Sequence, residues 1–344
     1  MLTGLSCGKR KPPLPPVERV LQRVEITGFQ RGSQVILSWT MPSKNASQGS
    51  LLNISRADIY RLAEPLTSPS NISEEEFASR STLVASLNIR ESDFGVKSLS
   101  YSDALQFAGQ PARLRYAIRF VNASGQKAAF SNFLLLEPAA RIAGAASSLS
   151  ATLTQEAVAL EWRAPTSNVD GSAPVNLLGY NVYRSNSEEV PGKLLNKTPV
   201  SDTNFRDEFF EFDKPLFYFV RSVSVGTGGE PIESGESNIL RLAPKDTFPP
   251  SPPAAITLAA TPTTISIFFA TNPEKDVIGY RIYRSTDADL DKQKWELLTP
   301  TPLTTNTFQD LRVESGKTYF YYLTATDKAG NISQPSEVVS ETVP

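Results

Sequence analysis

One strand-like phrase occurs three times in this chain. Gly279-Tyr280-Arg281-Ile282-Tyr283-Arg284-Ser285 returns as Gly179-Tyr180-Asn181-Val182-Tyr183-Arg184-Ser185 and, more faintly, as Ala57-Asp58-Ile59-Tyr60-Arg61. In each copy alternate residues are apolar or aromatic, and ring and β-branched side chains dominate. That pattern marks a β-strand with one buried face. Three copies of the strand imply three copies of a folding unit, and 344 residues leave room for two or three units that each bury a core.

Composition narrows what those units do. The 34 basic and 36 acidic residues give a formal net charge of −2, so no global field draws the chain to nucleic acid. Histidine is absent, which removes the commonest general base and the commonest neutral metal ligand. The single cysteine, Cys7, forms no internal disulfide and no thiolate zinc cluster. The 26 prolines cluster between the repeats, as in linkers and edge strands. No run approaches the roughly 20 apolar residues of a membrane-spanning helix. No catalytic residue, metal or cofactor is expected, and the chain is read as a non-enzyme.

The repeats are placed at about 17–138, 139–244 and 245–344, after a short leader at 1–16. In the first, Val20 to Phe29 reads as a strand that buries Val24, Ile26 and Phe29. Val35-Ile36-Leu37-Ser38-Trp39 follows, then the Tyr60-Arg61 strand. A long insertion, from about Leu62 to Gln110, separates it from the alternating run Leu114 to Phe120. Inside the insertion Ser73-Glu74-Glu75-Glu76-Phe77 suits a helix start, with Ser73 as cap and the glutamates at the positive end of the dipole; a solvated acidic loop is the alternative. The second repeat gives Ala157 to Trp162, Leu216 to Val223 and Ser237-Asn238-Ile239-Leu240, which matches Ser131-Asn132-Phe133-Leu134. The third gives Thr264 to Phe269, Thr318 to Ala325, a Gly330-Asn331 turn suited to positive φ, and a last strand from Val338 to Val343.

The order Trp strand, Gly-Tyr-x-x-Tyr-Arg strand, Tyr-x-Tyr strand, turn and Ser-rich final strand resembles the fibronectin type III module. The resemblance covers nearly everything after residue 17. It implies an all-β chain of three tandem immunoglobulin-like (fibronectin type III) antiparallel β-sandwiches of roughly a hundred residues each. On that frame Trp39, Trp162 and Phe268 fill the centres between sheets. Tyr319 stands at the tyrosine-corner position, where Leu114 and Leu216 replace it in the other repeats. Arg61, Arg184 and Arg284 are read as surface-paired.

The amino terminus, Met1-Leu2-Thr3-Gly4-Leu5-Ser6-Cys7-Gly8, followed by Lys9-Arg10-Lys11 and Pro12-Pro13-Leu14-Pro15-Pro16, resembles the end of a bacterial lipoprotein signal peptide. The resemblance implies that Cys7 carries acyl chains, each buried methylene adding about 0.8 kcal/mol of membrane affinity. The usual leucine three places before the cysteine is Gly4 here, and the apolar segment is short with no basic stretch before it. Either the signal begins upstream of Met1, or Cys7 is an incidental thiol in a tail. Gly8, where inner-membrane lipoproteins carry aspartate, leans towards the outer membrane.

Three further stretches have a functional and a plain reading. Asp287-Ala288-Asp289-Leu290-Asp291 opens like a calcium loop, but Lys292 and Leu298 stand where glycine and glutamate belong, so a hairpin loop is favoured. Gly226-Thr227-Gly228-Gly229 lacks the Lys-Ser/Thr of a phosphate loop. Glu208-Phe209-Phe210-Glu211-Phe212-Asp213 is either a sugar-stacking platform or a strand with one set of rings in the core; the second is favoured. The expected role is a non-enzymatic envelope lipoprotein that binds or spaces protein partners. The alternatives are a structural subunit of a larger membrane-associated complex and a polysaccharide-binding accessory protein.

Overall fold

The computed structural model describes residues 23–106, 112–188 and 192–344. Cys7 and the Pro-rich tether therefore lie outside the described residues. The sheets of the first and third repeats are antiparallel throughout, and each of the three repeats contributes two sheets. In the first repeat β1 (Ile26–Arg31), β2 (Gln34–Thr40), β3 (Arg56–Pro65), β4 (Thr82–Asn88), β5 (Ser98–Ala104), β6 (Ala112–Val121) and β7 (Leu134–Leu136) form the sheets β1-β2-β5 and β4-β3-β6-β7. In the second, β8 (Ser147–Leu153), β9 (Val158–Arg163), β10 (Gly179–Ser185), β11 (Lys193–Leu194), β12 (Asn204–Asp207), β13 (Leu216–Val225), β14 (Pro231–Glu233) and β15 (Leu240–Leu242) give β12-β9-β8 and β11-β10-β13-β14, with β15 also on β13. The third, β16 (Thr257–Thr261), β17 (Thr264–Phe268), β18 (Val277–Ser285), β19 (Glu296–Leu297), β20 (Thr307–Asp310), β21 (Thr318–Asp327) and β22 (Val339–Thr342), gives β16-β17-β20 and β19-β18-β21-β22. A three-stranded sheet faces a four-stranded one in the first and third repeats and a five-stranded one in the second, the immunoglobulin-like sandwich that the sequence implied.

The chain forms two compact units. One holds the first repeat and most of the second; the other holds the third repeat together with residues 152–158 and 208–215. In the first unit Val35, Leu37 and Trp39 point inward from β2, as do Leu160 and Trp162 from β9. Trp162 meets Tyr180 edge-on at 5.3 Å between ring centroids.

The third repeat corrects one expectation. Phe268 is 46% exposed and Phe269 only 4%, and it is Phe269 that packs on Tyr280 at 4.7 Å. Ile265, Ile267 and Phe269 continue the inward parity, so matching the Trp to Phe268 slips the strand by one residue and turns the ring to the wrong face. Phe29 fails for the same reason: Val24 and Ile26 are buried, and the odd-numbered Phe29 points outward.

The insertion is also shorter than expected. β3 runs on to Pro65 because it pairs with β6 over ten residues, Arg56 to Pro65 against Ala112 to Val121. β4 and β5 are strands with counterparts in every repeat; the serine-rich alternation Ser98-Leu99-Ser100-Tyr101 hid β5 from a hydrophobicity reading. What is extra is residues 66–81, and there the helix start is real. α1 (Glu74–Arg80) is capped by Ser73, whose Oγ accepts the Glu76 N–H at 3.1 Å, and it buries Phe77.

Candidate binding surfaces

The repeated Tyr-Arg end of the founding strand builds one constellation three times. Arg61 Nη1 donates to Asp103 Oδ2 at 2.7 Å, Arg184 Nη1 to Asp207 Oδ2 at 2.6 Å and Arg284 Nη1 to Asp310 Oδ2 at 2.7 Å. A tyrosine hydroxyl from the central strand donates to each same oxygen: Tyr116 at 2.6 Å, Tyr218 at 2.8 Å and Tyr321 at 3.0 Å. The carboxylates are 6, 3 and 2% exposed, so this is not the surface pairing expected of the arginines. Burial first, then the neighbouring carboxylate, raises all three tyrosines far above their ordinary value. A phenol so held neither ionises nor trades protons at neutral pH. The triad pins the strand before the last sheet crossing to the opposite sheet; it is a clamp, and its aspartates were invisible to a reading centred on the repeated phrase.

On the outer face of each four-stranded sheet the repeats diverge. In the first, α1 lies over that face: Phe77 meets Phe130 at 5.1 Å and Phe133 at 4.8 Å, and Phe130 meets Tyr60 at 5.3 Å. Arg119 stacks on Phe130 and Tyr60. The segment 66–81 is held by a buried charge group. Glu64 Oε1 accepts from Arg113 Nε at 2.9 Å and Arg115 Nη2 at 2.8 Å, while the two guanidiniums donate to the carbonyls of Ser68, Pro69 and Ser70. Burial opposes ionisation of Glu64, but the two arginines win and its carboxyl is lowered.

In the second repeat the equivalent face receives the β1–β2 turn of the first. Gly32 N–H donates to Glu233 O at 2.8 Å, and the Gln30 side chain makes two bonds to the Ala139 backbone, each 2.8 Å. Gly32 sits at φ +53, and a Cβ there would stand 2.9 Å from Gly235 N, so only glycine allows this approach. Around the turn Glu233 accepts from Asn181 Nδ2 at 2.6 Å, from Arg221 Nη1 at 2.9 Å and from the Tyr183 hydroxyl. Arg221 Nη2 reaches Glu236 at 2.7 Å. Burial and the Arg221 charge lower Arg31, against the pull of Glu233 and Glu236. Burial and Glu233 push Tyr183 up to about 12. Beside the turn lies a cavity of about 960 Å³ lined in part by Phe29, Leu178, Leu194, Val223 and Glu230.

The remaining expectations fall as follows. Asp287 and Asp291 spend their carboxylates on local backbone, accepting from Asp289 N–H at 3.0 Å and Gln293 N–H at 3.1 Å. Among the described residues the acids that do converge are Asp246, Asp276 and Asp327, with one oxygen each inside 4.8 Å. Hard oxygen donors of this kind suit a divalent cation, but Asn331 already occupies Asp327 through its backbone N–H at 2.8 Å and its amide at 2.9 Å. Gly226 to Gly229 form a turn between β13 and β14, closed by Gly226 N–H on Glu230 O at 2.7 Å. Residues 208–213 are not a strand: β12 stops at Asp207, and Asp213 takes a φ of +59 with its N–H on Pro244 O. The rings there divide. Phe210 meets Phe212 at 4.9 Å and Phe212 meets Phe248 at 6.3 Å; by exposure, Phe209 stands at 85%.

No known family model matches the chain. It is similar to Exoglucanase B of Cellulomonas fimi, 28% identical over 199 residues; the match takes in 56% of this chain and spans 16% of that protein. A crystal structure of the chicken CNTN1 FN1-FN3 domains aligns over 93% of this chain and 98% of its own at 15% identity, with a TM-score of 0.28.

Proposed function

We propose that this chain is a non-enzymatic binding and spacing element of the bacterial cell envelope, anchored by acyl chains on Cys7 and serving protein partners. The observation that carries the reading is the joint between the first two repeats. A spacer must resist bending, and here the turn at Gln30 to Gly32 is fastened to the second repeat by backbone and side-chain hydrogen bonds and set among Arg221, Glu233 and Glu236. A flexible string of modules would need none of these. Purifying the native protein from membranes for mass spectrometry should recover an acylated Cys7 and a stoichiometric envelope protein. An unmodified, partner-free chain in the soluble fraction would refute the reading.

A polysaccharide-binding role is favoured by one observation, the 85% exposure of Phe209 beside Glu208 and Glu211. Rings stack on sugar faces, and the similarity to a stretch of an exoglucanase lends it context. Glycan-array binding lost on Phe209→Ala would support this role; a blank array would count against it.

A further inference from the structure

The outer sheet face of the third repeat differs in charge from the docked face of the second, position by position. Register places Ile282 opposite Leu323 and Val182 opposite Val220, so Arg281 stands where the second repeat has Asn181, and Thr324 where it has Arg221. The Thr326–Ile332 bridge corresponds to the Val223–Glu233 pair, which puts Ile332 in place of Glu233; Ser333 and Ser336, matching Ser234 and Ser237, put Pro335 in place of Glu236. Both acids that surround the docked turn are thus gone, and a cation has appeared.

Three polar atoms on this face lack a partner among the described residues. Arg281 Nε, Thr324 Oγ1 and Thr326 Oγ1 are enclosed without a hydrogen bond, and Thr324 is 5% exposed. Arg281 and Thr324 are direct cross-strand neighbours, and Thr326 is next on the same side. Beside them Tyr283 and Tyr322 stack at 4.6 Å with planes 9° apart, and Ile332 is 47% exposed. Enclosed polar groups are nearly always satisfied in native proteins. The half-buried Arg281 guanidinium, without an ion pair among the described residues and next to an apolar rim, is the group on this face that a partner's acid can complete.

We propose that this face, centred on Arg281, Thr324 and Ile332, docks a β-hairpin of a protein partner that presents a carboxylate to Arg281. The inference rests on the binding role above. A protein hairpin is the occupant because the equivalent face of the second repeat already holds one, and the acid follows from charge complementarity. In the second repeat Glu233 and Glu236 flank the docked turn and pair with Arg221; here no acid stands at either position, and Arg281 offers a cation in place of an amide.

The test uses the full chain and a disulfide-cyclised hairpin with the sequence of residues 26–39 carrying Arg31→Glu, read by fluorescence anisotropy. The Glu hairpin should bind, and Arg281→Ala should weaken it about tenfold or more, the scale of a lost charge-assisted contact. Arg281 makes no bond that folding needs, so the variant should melt like the parent. Ile332→Glu, which restores an acid of the second repeat's kind, should abolish binding of the Glu hairpin and admit the unsubstituted Arg hairpin. Failure of the Glu hairpin to bind, or binding untouched by Arg281→Ala, overturns the proposal. So does polygalacturonate binding that depends on Arg281 while the hairpin stays inert, since that assigns the face to an acidic glycan. A membrane partner whose complex survives Arg281→Ala overturns this face while leaving the binding role intact.

Discussion

The first two repeats fasten their opening strand in a way the third does not. Asn132 lends its amide to β1, accepting from Ile26 N–H at 2.7 Å and donating to Ile26 O at 2.9 Å. Asn238 does the same for Leu149 on β8, at 2.8 and 3.0 Å. Each side chain imitates a passing strand and satisfies an edge that would otherwise lie open. In the third repeat Glu337 follows the matching Ser336, and the amide clasp is missing. That repeat instead carries Tyr319, whose hydroxyl accepts the Glu314 N–H at 3.1 Å and ties the approach loop to β21; Leu114 and Leu216 cannot do this. What all three keep is the Arg-Asp-Tyr clamp. The comparison separates what the sandwich requires from what each repeat is free to choose, and fasteners belong to the second class.

The largest expected effects test what the repeats share. Phe269→Ala should destabilise the third repeat by about 3–5 kcal/mol, as Trp162→Ala should the second, because each removes a large ring from between two sheets. Phe268→Ala, one residue away, should change stability by no more than about 0.5 kcal/mol. Urea unfolding of the two neighbours decides the register: equal losses would mean that β17 is misaligned with β2 and β9.

Next comes the clamp. Asp310→Ala strands Arg284 and Tyr321 without their common acceptor and should cost about 2–3 kcal/mol, as expected for buried hydrogen bonds to a charged group. Asp103→Ala should cost less, since the Arg61 side chain is 34% exposed against 12% for Arg284 and can turn to water. Thermal melts that rank the pair the other way would show that burial is not what sets the strength of the clamp.

Legibility followed period. Strands with clean alternation, such as β13 and β21, were readable because one face in two is apolar, and the sandwich followed from their order. β5 was missed because serine fills its outward positions and its inward partner includes the charged Asp103. Phe268 was misplaced because two adjacent phenylalanines make either parity plausible, and only register against β20 separates them. The candidate surfaces were mostly illegible. Arg281 and Asn181 occupy the same position in the repeated phrase, but what faces each of them, Ile332 or Glu233, lies some fifty residues away in sequence and is fixed by pairing alone. The docked turn was hidden for a related reason, since nothing in Gln30-Arg31-Gly32 names Glu233 as its partner.

The fasteners come third in size. Asn238→Ala removes two hydrogen bonds and exposes two backbone groups to incomplete satisfaction, a loss of about 1–3 kcal/mol. Tyr319→Phe removes one bond and keeps the ring, for about 1 kcal/mol. Grafting the clasp into the third repeat by Glu337→Asn should raise its melting temperature if the two devices act independently. No gain would mean that the tyrosine corner already satisfies the edge by other means.

The smallest effect is a matter of pH, and it sets two acids of the third repeat against each other. Glu274 accepts from Ser251 N–H at 2.8 Å, from the Ser251 hydroxyl and from the Asn272 amide at 3.1 Å. Burial works against its ionisation, yet these bonds win and lower its carboxyl to about 2. Its folded value is depressed, so its contribution is complete above the ordinary carboxylate range and is lost as pH falls towards 2. Asp246 goes the other way. Burial, with the charges of Asp327 and Asp276, raises it against the help of the Phe248 N–H. A raised folded value stabilises only where the group is protonated, so that contribution is present below about pH 3.9 and is lost as pH climbs through the folded value. Asp246→Asn keeps an acceptor for the Phe248 N–H and removes the charge. It should therefore raise the melting temperature of the third repeat slightly at pH 7, with the gain shrinking to nothing by about pH 3, while Glu274→Gln should lower it at pH 7 and converge with the parent only towards pH 2. A gain from Asp246→Asn that persists at pH 3 would show that shape at this cluster, rather than like-charge repulsion, limits stability.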